Sequence, residues 1–328
     1  MGKHILVTGG AGFIGSHLTE ALLSEGHAVT VIDDESTGNR DHLAQVMGHP
    51  GLTYRYGSLD DGLLLKNALD AADEVYHLAA AVGVRLIAEK PIESIWRNIR
   101  PTETIVDHLC QRHRAGQSVK LFLASSSEVY GKNPKATFHE DDDLVFGPTS
   151  KLRWSYGASK AIDEFLCVAA WREYQLPVVI GRFFNVVGPR QSGAYGMVLP
   201  RFVQAARANQ ALTVHDDGQQ VRCFADVRDV VQAVLALMST AAASGQVFNI
   251  GSDTPIRILE LAERVIAVTG SASPIEHQSY AAAYDADFED IRRRVPDLAR
   301  LRATIHFNPS RDLDQIIRDV AAESHTKT

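Results

Sequence analysis

The sequence predicts an α/β chain, a doubly wound parallel sheet with a smaller C-terminal lobe. Three observations predict it. Short runs rich in Val, Ile and Leu alternate with amphipathic stretches of helical period, the first pair is joined by a glycine-rich turn, and the rhythm breaks after Arg182. The first strand is His4-Ile5-Leu6-Val7-Thr8, followed by a helix from about Gly12 to Glu25 and a second strand, Ala28 to Asp33, which together make a βαβ unit. Further strands are expected at Thr53–Tyr56, Glu74–His77, Val119–Ala124 and Pro177–Gly181. Apolar strands separated by helices argue for a parallel sheet covered on both faces. Gly and Pro punctuate residues 188 to 200. The expected division is therefore 1–182 with about 223–250 for the sheet domain, and 183–222 with 251–328 for the lobe. No internal repeat is visible.

Composition narrows the function. The 328 residues are ample for such a core, and 45% hydrophobic with 22% charged residues is ordinary for a folded protein. Only the tail after about Ala321 reads as loose. With 33 basic against 40 acidic residues, a net charge of −7 and no basic block, a nucleic-acid partner is not expected. Cys110, Cys167 and Cys223 are scattered without C-x-x-C spacing, so neither a disulfide framework nor a metal site is expected, and a reducing cytoplasm fits. No stretch approaches the roughly 18 apolar residues of a membrane span, and no charged-then-apolar leader precedes the first strand. The expectation is a cytoplasmic protein with no membrane partner.

Directly after the first strand stands Gly9-Gly10-Ala11-Gly12-Phe13-Ile14-Gly15. Glycines at Gly9, Gly12 and Gly15 let the backbone turn tightly and approach a pyrophosphate. The helix that opens at Phe13 and Ile14 offers free N–H groups and a partial positive charge. Between a strand and a helix this is the fingerprint of a Rossmann-type dinucleotide site. The second strand ends at Asp33, whose carboxylate can accept both hydroxyls of an adenosine ribose and would repel a 2′-phosphate, so NAD is expected rather than NADP.

Tyr156-Gly157-Ala158-Ser159-Lys160 is a Y-x-x-x-K spacing that puts a phenol and an ammonium on one helix face. A phenol of pKa about 10 is a poor base at neutral pH, but a nearby ammonium and a nicotinamide cation favour phenolate and make the pair a proton shuttle. The strand before it ends in Ala124-Ser125-Ser126-Ser127-Glu128-Val129-Tyr130-Gly131.

With the glycine motif, His77-Leu78-Ala79-Ala80, Asn98, the Ser-Ser-Glu-Val-Tyr-Gly run, Tyr156 with Lys160, and Arg182-Phe183-Phe184-Asn185 leading to Gly188-Pro189-Arg190, the chain resembles, over nearly its whole length, an extended short-chain dehydrogenase/reductase of the nucleotide-sugar epimerase, dehydratase and decarboxylase group. The resemblance implies an enzyme that binds NAD and a UDP-sugar and forms a homodimer through two helices, here about Thr102 to Arg114 and Ser155 to Tyr174. It implies that Ser126 hydrogen-bonds the reacting hydroxyl, Tyr156 removes its proton, and Lys160 holds the nicotinamide ribose. Leu78, Ala79, Ala80 and Asn98 fall where the family touches the cofactor. Ser58 and Leu59 follow the third strand, and Ser58 departs from the family's usual aspartate on the adenine. For the nucleotide sugar the resemblance implies Asn185 and Arg190, Val198, Leu212 and Val214 at the base pocket, and Arg222 and Arg294 as diphosphate clamps, arginine's planar fork suiting that group. Ser127 lies beside the reacting sugar by the same reasoning, and Arg85, on the loop after His77-Leu78-Ala79-Ala80, reads equally as facing the sugar or as a surface residue.

Three reactions branch from one 4-keto sugar: epimerisation, 4,6-dehydration, and loss of carbon dioxide from a uronic acid. Dehydratases resemble one another in a Thr-Asp-Glu run whose aspartic acid protonates the leaving hydroxyl, and Ser127 stands in that place. Galactose-type 4-epimerases carry a small neutral residue where this chain keeps Glu128, as the decarboxylases do. Arg153-Trp154-Ser155-Tyr156 and Arg222-Cys223-Phe224-Ala225-Asp226-Val227-Arg228-Asp229 are similar to runs of bacterial UDP-glucuronate decarboxylases. UDP-glucuronate decarboxylation, to UDP-xylose or a released 4-keto pentose, is the leading expectation, with UDP-sugar 4-epimerisation as the alternative. A non-catalytic nucleotide sensor would be expected to lack Tyr156 or Lys160. A general alcohol dehydrogenase would lack the arginine clamps.

Overall fold

Strand β1 (His4–Thr8) is buried at every residue but the first, because a parallel strand with helices on both faces has no wet side. Its side chains divide by the strand period of two: Ile5 and Val7 enter one core cluster and Leu6 the other. The computed structural model that shows this describes residues 2–81, 90–193, 197–279 and 291–323. Arg85 and the last five residues of the tail lie outside the described residues.

Along the chain follow α1 (Phe13–Ser24), β2 (Ala28–Asp33), β3 (Leu52–Tyr56), α2 (Gly62–Ala71), β4 (Glu74–His77), α3 (Pro91–Arg114), β5 (Lys120–Ser126), α4 (Ser155–Tyr174) and β6 (Val178–Phe183). Then come β7 (Val186–Val187), α5 (Val198–Arg207), β8 (Leu212–His215), β9 (Val221–Cys223), β10 (Ala225–Asp226), α6 (Val227–Ser239) and β11 (Gln246–Ile250). The described residues form a seven-stranded sheet in the order β11-β6-β5-β4-β1-β2-β3, with every neighbouring pair parallel. The order turns back between β1 and β4, where Thr8 pairs with His77. In such sheets the crevice beyond the carboxyl ends at this switch point is where ligands bind.

Each face has its own cluster. Leu18 and Leu22 of α1 and Val230, Val234 and Leu237 of α6 pack with Val29, Val31, Phe122 and Phe248. Leu65 and Leu69 of α2, Ile105 and Leu109 of α3 and Cys167 of α4 pack with Ile32, Val75, Leu121 and Ile180. A third cluster joins Leu199, Phe202 and Val203 of α5 and Leu212 and Val214 of β8 to Leu261 and Val265 of α7 (Ile258–Thr269) and to Ile316, Ile317 and Val320 near the C-terminus.

Helix α3 begins at Pro91, a full three turns before the expected Thr102, and carries Pro101 in its interior. A proline inside a helix removes one backbone hydrogen bond. Here the turn holds because Pro101 is buried together with Ser94, Asn98 and Thr102 along the face that meets α4. Cys110, Cys167 and Cys223 are free thiols in the interior. Among the described residues no helix is long and apolar enough to cross a membrane.

Candidate active site

The turn after β1 is shaped by contacts that exclude side chains. Gly9 has φ +73°, and a Cβ there would sit 2.8 Å from the Ala79 backbone nitrogen, so the β1 and β4 loops touch only because residue 9 is glycine. The turn leads into the N-terminus of α1, which has no side-chain cap and no acidic residue in its first turn. Its opening amides are thus left to an external anion. At the end of β2, Asp33 accepts the Ala11 N–H through Oδ2 at 2.9 Å and the Glu35 N–H through Oδ1 at 2.8 Å. Burial pushes its carboxyl up from the ordinary value while those two N–H groups pull it back. Each oxygen keeps a second lone pair for a ribose hydroxyl. Glycine turn, uncapped helix and Asp33 together fit a dinucleotide.

Other residues read from the sequence as cofactor ligands are placed as follows. Leu78 donates its N–H to the Thr8 carbonyl at 3.2 Å, and Ala79 donates to Thr8 Oγ1 at 3.3 Å, which fixes the loop opposite Gly9. Ala80 follows them on the same loop. Asn98 is turned inward: its Oδ1 accepts the Ala81 N–H at 2.7 Å and its Nδ2 reaches the Ala81 carbonyl at 3.3 Å, so its side chain shapes the loop. Ser58 accepts the Asp60 N–H at 3.1 Å, and Leu59 packs on the second core cluster.

The residues read from the sequence as the redox centre meet where β5 ends and α4 begins. Ser126 is the last residue of β5, and its Oγ accepts the Glu128 N–H at 3.2 Å, which opens a tight turn. A Cβ on Gly157 would lie 2.5 Å from the Glu128 carbonyl oxygen, so glycine at 157 lets the first turn of α4 close on that turn. Tyr156 is thereby brought against Ser126, which hydrogen-bonds it. The sequence leads to the expectation of a phenol eased toward phenolate, yet the chain's own groups push it up from its ordinary value. Burial acts first and the Glu128 charge next, while the Ser126 hydrogen bond opposes them and the Asp163 charge adds to them. Lys160, one turn further on, has its Nζ 3.2 Å from Asp163 Oδ2, and the two side chains are 2% and 1% exposed. Next to them Arg182 of β6 grips Glu164 through Nη2 at 2.7 Å and Nε at 3.0 Å, which anchors α4 on the sheet.

Glu128 is held between two arginines. Arg153 Nη1 donates to its Oε2 at 2.8 Å and Arg294 Nη1 to its Oε1 at 2.6 Å. Burial alone would raise its pKa, but the Arg294 charge, the Arg153 charge and hydrogen bond, and the Arg222 charge outweigh it and bring the group from 4.5 down to about 2. Glu128 is therefore ionised throughout the neutral range. Three guanidinium groups thus act on this one carboxylate. Arg294, which the resemblance makes a diphosphate clamp, is paired here with Glu128. Arg222 is buried, with Nη1 donating to the Val221 carbonyl at 2.9 Å.

The remaining substrate residues are scattered around this centre. Asn185, at φ 36°, donates through Nδ2 to the Cys223 carbonyl at 2.9 Å and ties β7 to β9. Arg190 turns to α1, with Nη2 on Glu20 at 2.8 Å and Nη1 on Ser16 Oγ at 3.2 Å. Val198 opens α5, Leu212 and Val214 point into the lobe's core, and Ser127 is buried behind the β5 turn. Two charged positions of this cluster, Arg153 and Asp163, were not among the site residues read from the sequence. Arg153 carried a signal, its place in the Arg-Trp-x-Tyr run; Asp163 carried one too, lying on the face of Tyr156 and Lys160 at helical spacing.

Residues 5–251 match the sequence model of the NAD dependent epimerase/dehydratase family. The chain is 39% identical over 324 residues, 97% of each chain, to a UDP-N-acetyl-alpha-D-glucosaminuronate decarboxylase of Bacillus cytotoxicus. It is 31% identical to UDP-glucuronic acid decarboxylase 1 of Xenopus tropicalis over 95% of this chain and 70% of that protein. Among solved structures, the UDP-glucuronic acid 4-epimerase of Bacillus cereus, in complex with UDP-glucuronic acid and NAD, superposes with a TM-score of 0.85 at 25% identity, covering 97% of this chain and 98% of the other.

Proposed function

The chain belongs to the NAD dependent epimerase/dehydratase family and is an enzyme, and from that premise we propose that it is an NAD-dependent decarboxylase of a UDP-linked hexuronic acid, either UDP-glucuronate or its 2-acetamido counterpart. The observation that carries the proposal is the ionised Glu128 clamped by Arg153 and Arg294 beside Tyr156. Loss of carbon dioxide calls for a place to hold the substrate's C6 carboxylate and for an ordered water that can protonate C5; the arginines suit the first and the Glu128 carboxylate, as a hydrogen-bond acceptor for that water, the second. Residues 1–182 with about 223–250 then serve the cofactor, and 183–222 with 251–328 the nucleotide sugar.

Tyr156, activated to phenolate, takes the proton of the C4 hydroxyl while Ser126 holds that oxygen. NAD, when bound, supplies the hydride acceptor at C4 and later returns the hydride to the same carbon. The ketone at C4 makes the C6 carboxylate that of a β-keto acid, and the C5–C6 bond breaks with its electrons passing into an enolate. Ser126 and the protonated Tyr156 stabilise the enolate oxygen by hydrogen bonds aimed at developing charge. C5 then takes a proton from water. Glu128 is ionised and serves as the acceptor that orients this water, and it fixes Arg153 and Arg294 against the departing carboxylate. With NAD bound, Lys160 would hold the nicotinamide ribose and Asp33 the adenosine ribose.

The test is incubation with a panel of UDP-sugars and mass analysis of the products. UDP-glucuronate or UDP-N-acetylglucosaminuronate is expected to lose the mass of carbon dioxide with no cofactor consumed. Isomerisation at constant mass would support the second reading, 4-epimerisation of the same uronic acid, which the likeness to the Bacillus cereus enzyme favours.

The enzyme is proposed to act as a homodimer. Ile92 and Trp96 on α3 and Ile162 and Phe165 on α4 are 62%, 51%, 51% and 66% exposed, and the two helices pack side by side. Residues three or four apart share a helix face. A two-fold axis across this face would bury all four against their own copies. Light scattering is expected to give twice the chain's mass, and Phe165→Glu the mass of one chain.

A further inference from the structure

Beneath Tyr156 lies a buried ion pair to which the chemistry above gives no part for the carboxylate. Asp163 Oδ2 is 3.2 Å from Lys160 Nζ; burial pushes the Asp163 carboxyl up, while the Lys160 charge first and then hydrogen bonds from Thr102 and Lys160 pull it back. An ionised carboxylate in the interior is costly unless a counter-charge holds it there. The groups facing it from each neighbouring element leave Lys160 as that counter-charge. On its own helix, Glu164 is engaged by Arg182, and burial pushes the Cys167 thiol up so that it stays neutral. From α3 comes the uncharged Thr102. From β4 comes His77, whose Nε2 is 3.2 Å from Thr102 Oγ1 and whose Nδ1 is 2.7 Å from Thr8 Oγ1. Burial first, then the Lys160 charge, lowers His77 to about 3, so it is neutral.

The consequence falls on Tyr156. The charges that act on the phenol are Glu128, engaged by Arg153 and Arg294, and Asp163, and Lys160 stands one helical turn away in contact with Asp163. An ammonium alone would favour phenolate whatever the state of the cofactor. An ammonium with a carboxylate in contact acts as a dipole whose field fades quickly with distance.

We propose that Asp163 is a positioning residue for the oxidation step: by holding Lys160 and offsetting its charge, it leaves the positive nicotinamide ring as the charge that decides when Tyr156 gives up its proton. This rests on the reading of Tyr156 as the base and NAD as the cofactor. With oxidised cofactor the phenol releases its proton to solvent and the phenolate is ready for the C4 hydroxyl proton. As the C4 hydride and its two electrons pass to the nicotinamide, that ring becomes neutral and Tyr156 keeps the hydroxyl proton it has taken. When the hydride returns to C4, the same proton returns to the oxygen. The phenol's proton affinity thus follows the redox state of its neighbour, and the 4-keto sugar is not reduced without a proton to hand.

The experiment is a tyrosinate titration of the holoenzyme without sugar, followed by ultraviolet difference absorbance against Tyr156→Phe, with NAD and with NADH bound. In the wild type the midpoint is expected to be lower with NAD than with NADH by about one pH unit or more, tenfold in proton affinity. In Asp163→Asn both midpoints are expected to fall by about one unit or more as the Lys160 charge is unmasked, and Asp163→Glu to restore them. Midpoints in Asp163→Asn that match or exceed the wild type, with only a lowered Tm, would make the pair merely structural and overturn the proposal. Should Asp163→Asn not fold, the wild-type comparison decides alone, equal midpoints with NAD and NADH overturning it. A tyrosinate signal that survives unchanged in Tyr156→Phe would refute the assignment of the base itself, a failure distinguishable from that of Asp163.

Discussion

Tyr156→Phe is expected to lower kcat by about a hundredfold to ten-thousandfold, the range for losing a positioned general base. The substitution deletes one oxygen from a nearly buried ring. Its partner Ser126 keeps the Glu128 N–H, and Lys160 keeps Asp163. Neither the turn after β5 nor the first turn of α4 loses a contact that holds it, so Tm and NAD content should stay close to the wild type. What disappears is the acceptor for the C4 proton, without which hydride departure would leave a protonated ketone. The decisive readout is a single turnover with UDP-hexuronate: no reduced-cofactor absorbance should appear, and no carbon dioxide. Absorbance at the normal rate with product blocked would move the base elsewhere and leave Tyr156 a later role.

Much of this was legible in the sequence because it is local. The strand period, the glycine turn between β1 and α1, Asp33 at the end of β2 and the Tyr156–Lys160 spacing each depend on a few neighbouring residues. The family resemblance brought Ser126 to that pair, and the structure places them together. Two features were not legible. Helix α3 runs through Pro101 because tertiary burial against α4 carries it there. Arg294 meets Glu128, 166 positions away, and nothing local specifies which carboxylate a guanidinium will reach. The Lys160–Asp163 pair was readable from helix phase alone. Its meaning was not, because that depends on His77 being neutral and Glu164 engaged, both set by distant strands.

Glu128→Gln should produce the other large effect, with a different signature from Tyr156→Phe. The amide keeps the volume and one acceptor oxygen, but it turns an N–H₂ toward one of the two arginines that the carboxylate held. UDP-hexuronate should still bind, since removing a negative charge beside Arg153, Arg222 and Arg294 makes the cluster no less favourable to an anion. Oxidation should not slow either, because the Glu128 charge is one of the influences that raise the Tyr156 phenol. The loss falls on the steps at C5 and C6, where the ionised acceptor is missing and the guanidinium groups are no longer aimed. Carbon dioxide release should drop by about a hundredfold or more while reduced-cofactor absorbance accumulates. The sign of the pH dependence is fixed as well. A carboxyl lowered to about 2 stays ionised above its ordinary range near 4.5 and is protonated only as the pH falls through about 2. An acid limb near neutrality would therefore not be Glu128's, and Glu128→Gln should lower the whole profile without moving any limb in that range. Conversion of UDP-glucose to UDP-galactose by Glu128→Gln at the wild-type rate, with UDP-hexuronates left untouched, would sink the decarboxylase reading, since epimerisation at C4 breaks no bond at C5 and has no use for the charge.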